Sequence, residues 1–178
     1  MLNTEEKRKI LVYARELLKA CLTAGLEPKL ELDREVLKQK RGIFVTLKLR
    51  GRLRGCIGHI LGDEPLGESI HHMTLAAAFE DPRFPPLATD ELEDLKIHIS
   101  LLTEPVPVKS YKDIRSGTDG IIVTRGWKKG VYLPEVATET GWDSKTFFES
   151  CALEKAGLTE QELPDATIEV FQTEGFED

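Results

Sequence analysis

Between residues 43 and 60 only one arrangement keeps a continuous hydrophobic face, and that is a β-hairpin. Ile43, Val45, Leu47 and Leu49 alternate with Phe44, Thr46 and Lys48, and Arg50-Gly51-Arg52 supplies the turn. A two-residue turn at Arg50-Gly51 would pair Leu49 with Arg52 and Lys48 with Leu53, mixing apolar and charged residues on each face. A three-residue loop pairs Leu49 with Leu53 and Lys48 with Arg54 and leaves one face aliphatic, so it is the expected register. Cys56 then points to the side of Arg54, Lys48 and Thr46. A bulge at either Gly55 or Gly58 would break this parity.

The returning strand carries Leu53-Arg54-Gly55-Cys56-Ile57-Gly58, a thiol between two glycines after alternating arginines. Glycine within a strand marks a bulge or the close approach of a backbone or ligand. A cysteine beside cationic side chains is biased toward the nucleophilic thiolate.

Around this hairpin the pattern is mixed. A helix is expected over 4–24, capped by Asn3 and Glu6 and stopped at Gly25, with Ile10, Ala14, Leu17, Leu18 and Cys21 as its buried stripe. A short helical turn is expected over 33–38, and a helix over 65–79 opening on Pro65. Asp81-Pro82-Arg83-Phe84-Pro85-Pro86 is a stiff loop. Residues 95–103 alternate as a strand with Leu95, Ile97, Ile99 and Leu101 inward. Residues 104–107 read as a connector between lobes and 110–116 as a helical turn. A second hairpin spans 120–124 and 130–133, a helix capped by Asp143 runs to about 156, Thr159 and Glu162 form a capping box, and 166–173 is a strand. Strands mixed with separate helices, without regular βα alternation, predict an α+β fold with antiparallel or mixed sheets.

Composition narrows the function. The 178 residues suit one domain covering the whole chain, in two lobes. No apolar run is long enough to span a bilayer, and residues 1–6 have no basic, then apolar, signal pattern. The three cysteines, at 21, 56 and 151, form no Cys-x-x-Cys pair, so a reducing cytoplasm is expected and a disulfide framework is not. A net charge of -7 argues against nucleic-acid binding. The charge is uneven: residues 38–54 hold seven Lys or Arg and no acid, whereas 154–178 hold eight acids and one Lys. The two segments either face each other or face water, or the basic one receives an anionic ligand.

Four stretches together resemble the AMMECR family, whose bacterial and archaeal members are called AmmeMemoRadiSam system protein A. They are Gly42-Ile43-Phe44-Val45-Thr46-Leu47, the hexapeptide 53–58, the run from Ala76 through Asp81-Pro82-Arg83-Phe84-Pro85-Pro86-Leu87, and Leu133-Pro134-Glu135-Val136-Ala137 through Gly141-Trp142-Asp143. The resemblance implies an α+β fold with a larger and a smaller subdomain and a cleft between them. It implies partnership with a Memo-like protein and a radical-SAM protein. It carries over no substrate or reaction, and the candidate positions it marks are Arg54, Cys56, Asp81, Arg83, Glu135 and Trp142.

Each candidate has a structural and a functional reading. Cys56 is a packed strand thiol, or a catalytic nucleophile or soft metal ligand. Arg54 clamps a small anionic ligand or pairs with the acidic C-terminal segment. Asp81 and Arg83 face a ligand, or turn and brace the proline loop. In the enzyme reading Asp81 or Glu135 is the proton-transfer group, and Trp142 is core or a stacking platform. His59, His71, His72 and His98 have no reliable metal spacing, so no metal or cofactor is expected. No phosphate-loop, dinucleotide or triad signature occurs. No complete catalytic set can be assembled, which favours a companion or binding subunit. The alternative is an enzyme using Cys56 on a small anionic or carbonyl compound.

Overall fold

The computed structural model describes residues 1–178. Along the chain run α1 (Thr4–Thr23), α2 (Arg34–Leu37), β1 (Ile43–Leu49), β2 (Arg52–His59), α3 (Leu66–Phe79), β3 (Leu95–Leu102), β4 (Val106–Val108), β5 (Gly120–Arg125), β6 (Lys128–Tyr132), α4 (Pro134–Thr140), α5 (Ser144–Ser150), β7 (Thr167–Phe171) and β8 (Thr173–Glu177). The fold is α+β with two antiparallel four-stranded sheets, ordered β2-β1-β3-β8 and β4-β7-β5-β6. Two compact units result: Met1–Leu102 with Glu174–Asp178, and Thr103–Thr173. No helix is long and apolar enough to cross a membrane.

In the first unit α1 and α3 bury one face of the sheet. Ile43, Val45 and Leu47 of β1 and Leu95, Ile97, Ile99 and Leu101 of β3 are all buried, as the alternation requires. The Asn3–Glu6 capping box opens α1. Two details of α1 differ from expectation. The left-handed residue at its end is Ala24 (φ 52°), one before the glycine. Cys21 is exposed, because the buried stripe turns instead toward Leu11 and Tyr13. Glu174 of β8 ties the chain ends together: its buried carboxylate accepts from the Leu2 amide at 3.0 Å and pairs with Lys7 at 3.0 Å and Arg41 at 3.3 Å. This is the one point where the basic 38–54 segment meets the acidic C-terminal one.

The hairpin register corrects the sequence reading. The turn has two residues, Arg50 (φ 50°) and Gly51 (φ 77°), the left-handed pair of a type I′ turn. Leu49 therefore faces Arg52 and Lys48 faces Leu53. A β-bulge then absorbs Arg54, and beyond it Leu47 faces Gly55 and Thr46 faces Cys56. Cys56 thus shares a side with Thr46 as expected, but Arg54 leaves the alternation and is buried. Turn geometry won over facial purity because the bulge repairs the mismatch within one residue.

In the second unit β5, β6 and β7 pack against α5, with Ile121, Val123, Phe147, Phe148, Cys151 and Ala152 in the core. The expected connector at 104–107 contributes instead to edge strand β4, paired to β7. Between the second hairpin and Asp143, where no element is expected, the chain forms α4, with Pro134 in its first turn and Gly141 left-handed at its end. The helix expected to run to 156 becomes π-helical from Cys151 to Lys155. The strand expected over 166–173 ends at Phe171, and 173–177 returns to the first sheet as β8.

The glycines of the hexapeptide are filled from within. A Cβ on Gly55 would lie 2.0 Å from the Ala77 carbonyl oxygen of α3, and one on Gly58 would lie 2.2 Å from the Ile43 carbonyl oxygen. Gly55→Ala should therefore cost about 3 kcal/mol through overpacking, measured as a lower urea midpoint. Gly126→Ala, left-handed but with nothing within 4 Å, should cost only about 1 kcal/mol.

Candidate functional site

β2 is an edge strand, so alternate N–H and C=O groups along it have no neighbouring strand. At Cys56 two side chains replace one. α3 ends at Phe79, and the residue ahead of Pro82, Asp81, turns back toward β2. Its Oδ2 accepts from the Cys56 amide at 2.8 Å, while Arg83 Nη2 donates to the Cys56 carbonyl at 3.2 Å. The two side chains also bind each other, Arg83 Nε to Asp81 Oδ1 at 2.9 Å and Nη2 to Oδ2 at 2.7 Å. The Asp81 side chain is 1% exposed. Its hydrogen bonds to Arg83, against the opposing cost of burial, and the amides of Cys56 and Arg83 hold its carboxyl well below the usual carboxylate range.

Arg54 builds the second half of this corner. Its Nε and Nη2 donate to the two oxygens of Glu91 at 2.6 and 2.8 Å, and Nη2 reaches the Pro86 carbonyl at 3.2 Å. The partner of Arg54 is thus Glu91, not the C-terminal acids. Glu91 also accepts from the Ala88 amide at 2.9 Å. Phe84 lies beside both guanidiniums, at 6.0 Å from Arg54 and 5.6 Å from Arg83. Arg54, Cys56, Asp81 and Arg83, far apart in sequence, therefore meet, but each arginine arrives with its own carboxylate.

The Cys56 side chain points to the sheet face turned away from α1 and α3. Its Sγ is 3.1 Å from Thr46 Oγ1. On the other side of Thr46, in register, stands His98. His98 Nε2 is 3.1 Å from Ser100 Oγ, and Nδ1 is 3.5 Å from a carboxylate oxygen of Glu177. A row Cys56–Thr46–His98 thus crosses three strands and ends at Glu177. Cys56 and His98 stand two strand spacings apart, about 10 Å of backbone, with the threonine hydroxyl between. By contrast Cys151 is an interior thiol, pushed up to about 12 by burial.

Glu135 and Trp142 belong to the second unit. Glu135 sits in the first turn of α4, accepts from Thr173 Oγ1 at 3.3 Å, and lines a hollow of about 450 Å³ with Thr118, Thr138 and Glu139. Trp142 packs on the second core, its ring 6.1 Å from that of Tyr132. His71 bonds the Tyr13 hydroxyl at 2.8 Å and His72 the Glu64 carboxylate at 2.9 Å. No three His, Cys, Asp or Glu side chains are grouped to hold a metal ion. His98 and Glu91 are the neighbours sequence reasoning missed. The inward set Leu95–Leu101 already put His98 on the outer face, but nothing local revealed that β3 pairs with β1.

The clamp has a measurable pH signature. Asp81 has a lower affinity for protons folded than unfolded, so its stabilisation is complete above the unfolded value near 4 and is lost as pH falls toward the folded one. Asp81→Asn turns an amide N–H₂ toward existing donors and should cost about 2–3 kcal/mol at neutral pH. Urea titrations from neutral pH down to about 3 should show a shallower acid loss in this variant than in the parent.

The sequence model of the AMMECR1 family matches residues 11–176. A protein of Methanothermobacter thermautotrophicus is 40% identical over 178 residues, covering 96% of this chain and 92% of its own. One from Nanoarchaeum equitans is 42% identical over 149 residues, 80% of this chain and 82% of its own. The crystal structure of an uncharacterised Pyrococcus horikoshii protein has a TM-score of 0.86 to this fold at 32% identity, over 99% of this chain and 93% of that one. Motif stretches, fold and matched span agree, and the chain belongs to the AMMECR1 family.

Proposed function

We propose that this chain is a cytoplasmic companion subunit that binds other proteins, with Memo-like and radical-SAM proteins as its partners, and that its hexapeptide is a structural device. One observation carries this reading: the charged groups of the motif are consumed internally. Arg54 is held by Glu91, Arg83 by Asp81, and the Cys56 peptide by both members of the Asp81–Arg83 pair. An arginine already bonded to a carboxylate through two nitrogens is a poor clamp for a second anion. The motif glycines admit the chain's own backbone rather than a ligand. The choice of partners rests on the family resemblance of the motif stretches.

A second reading is supported by the row on the outer sheet face. An enzyme using Cys56 needs a base, and His98, held by Ser100 and Glu177, stands across Thr46 from the thiol. In addition to the carbonyl of a small substrate, a sulfur lone pair would form the S–C bond while the C=O π pair moves to oxygen, which takes up a proton from water. The thiol proton would pass to solvent water and from there to the His98 imidazole, whose ring nitrogens face Ser100 and Glu177 rather than Thr46.

Cys56→Ala separates the readings. As a binding subunit, the variant should melt within about 2 °C of the parent, because only a partly buried Sγ is lost, from the sheet face away from the helices. It should also bind purified Memo-like and radical-SAM partners with an unchanged dissociation constant in calorimetry, and support the assembled system. A folded variant that binds both partners yet leaves the system inactive, with His98→Gln doing the same, would transfer the conclusion to catalysis.

A further inference from the structure

The outward stripe of α1 carries an arrangement that the hexapeptide corner does not use. Glu5, Arg8, Val12, Glu16 and Lys19 are all exposed, and their positions are symmetric about Val12. At about 100° per residue they fall on one strip of the helix surface. Their chemistry is antisymmetric about the centre: negative, positive, apolar, negative, positive. Reversed end to end, the stripe therefore sets every charge against its opposite.

Arg8, Val12 and Glu16 are also four residues apart, so they form one ridge of the helix surface. The ridge stands between two hollows. One, of about 490 Å³, lies toward β8 and is lined by Leu11, Val12, Arg15 and Phe176. The other, of about 210 Å³, is lined by Val12, Tyr13, Glu16 and Pro28. Val12 is 50% exposed at the middle of a 20-residue helix. A β-branched apolar residue gains nothing from water there and is not a favoured helix former. Arg8 is already bonded to Glu5 through Nε and Nη2 at 3.0 and 2.8 Å, but unlike the buried Arg54–Glu91 pair this one is exposed on both sides and screened by water, so exchanging Glu5 for a carboxylate of the second copy costs little.

We propose that this face binds a second copy of the chain, with the two α1 helices antiparallel and crossing at Val12. When the ridges of both helices lie alongside each other, Arg8 of one copy meets Glu16 of the other, twice by symmetry, and Val12 meets its own mate. Each ridge enters a hollow beside the facing ridge, which gives the apolar centre and charged rim of an isologous interface.

The experiment is sedimentation of the 178-residue chain from low micromolar to submillimolar concentration at low salt. The expected result is a reversible species of twice the 20.0 kDa chain mass that weakens as salt rises. Arg8→Glu should weaken dimerisation by about 10- to 100-fold, and the charge-swapped double variant Arg8→Glu/Glu16→Arg should restore it. Both positions are exposed, so melting points should stay within about 2 °C, keeping folding separate from association. A monomer throughout, an Arg8→Glu variant that associates normally, or a double variant as weak as the single would each overturn the proposal. A monomer that instead binds an extended peptide along the β8 edge would assign the groove to another occupant and equally overturn it.

Discussion

The free edge of β2 is the constraint around which the first unit is built. An edge strand buried along one side must satisfy backbone groups that no neighbouring strand reaches. Asp81 and Arg83 do so at Cys56, taking the amide with a carboxylate and the carbonyl with a guanidinium. Because they also bind each other, the side chain standing in for a strand is charge-balanced, and Asp81 enters the interior without leaving a lone charge. The bulge at Arg54 belongs to the same solution. It redirects one arginine into the loop after α3, where Glu91 and the Pro86 carbonyl fix it. The proline-dense loop is thus bonded to the sheet at both of its ends.

That economy bears on function. A motif dense in arginine, glycine and cysteine looks chemical when read as a string. In three dimensions most of its capacity to bind is already spent: Gly55 receives a helix carbonyl and both guanidiniums hold carboxylates. What the corner does not draw in lies on the outer face of the sheet, where Cys56, Thr46 and His98 form a row of thiol, hydroxyl and imidazole. The motif positions Cys56 on this row without itself supplying its neighbours.

Local chemistry was legible in particular residues. The α1 capping box, the Asp143 cap and the inward set Leu95, Ile97, Ile99 and Leu101 follow from patterns spanning a few residues. The errors share a cause. The hairpin register failed because a pattern-based choice between a two- and a three-residue turn gives no weight to a bulge, which pairs both ends correctly at the cost of one residue. Cys21 faces solvent because Leu11 and Tyr13 pull the buried stripe of α1 around. β8 escaped because its burial depends on a sheet edge assembled from residues far earlier in the chain.

By itself the sequence determined the α+β class, the family, and most of the segments that become helices and strands, since periodicity, capping and turn chemistry act over a few residues. Tertiary structure alone decided that Arg54 pairs with Glu91, that Asp81 and Arg83 complete the edge of β2 at Cys56, and that His98 stands beside Thr46. These are contacts across tens of residues, set by which strands pair and where a helix ends. No local pattern encodes them, because they exist only once the sheet has closed.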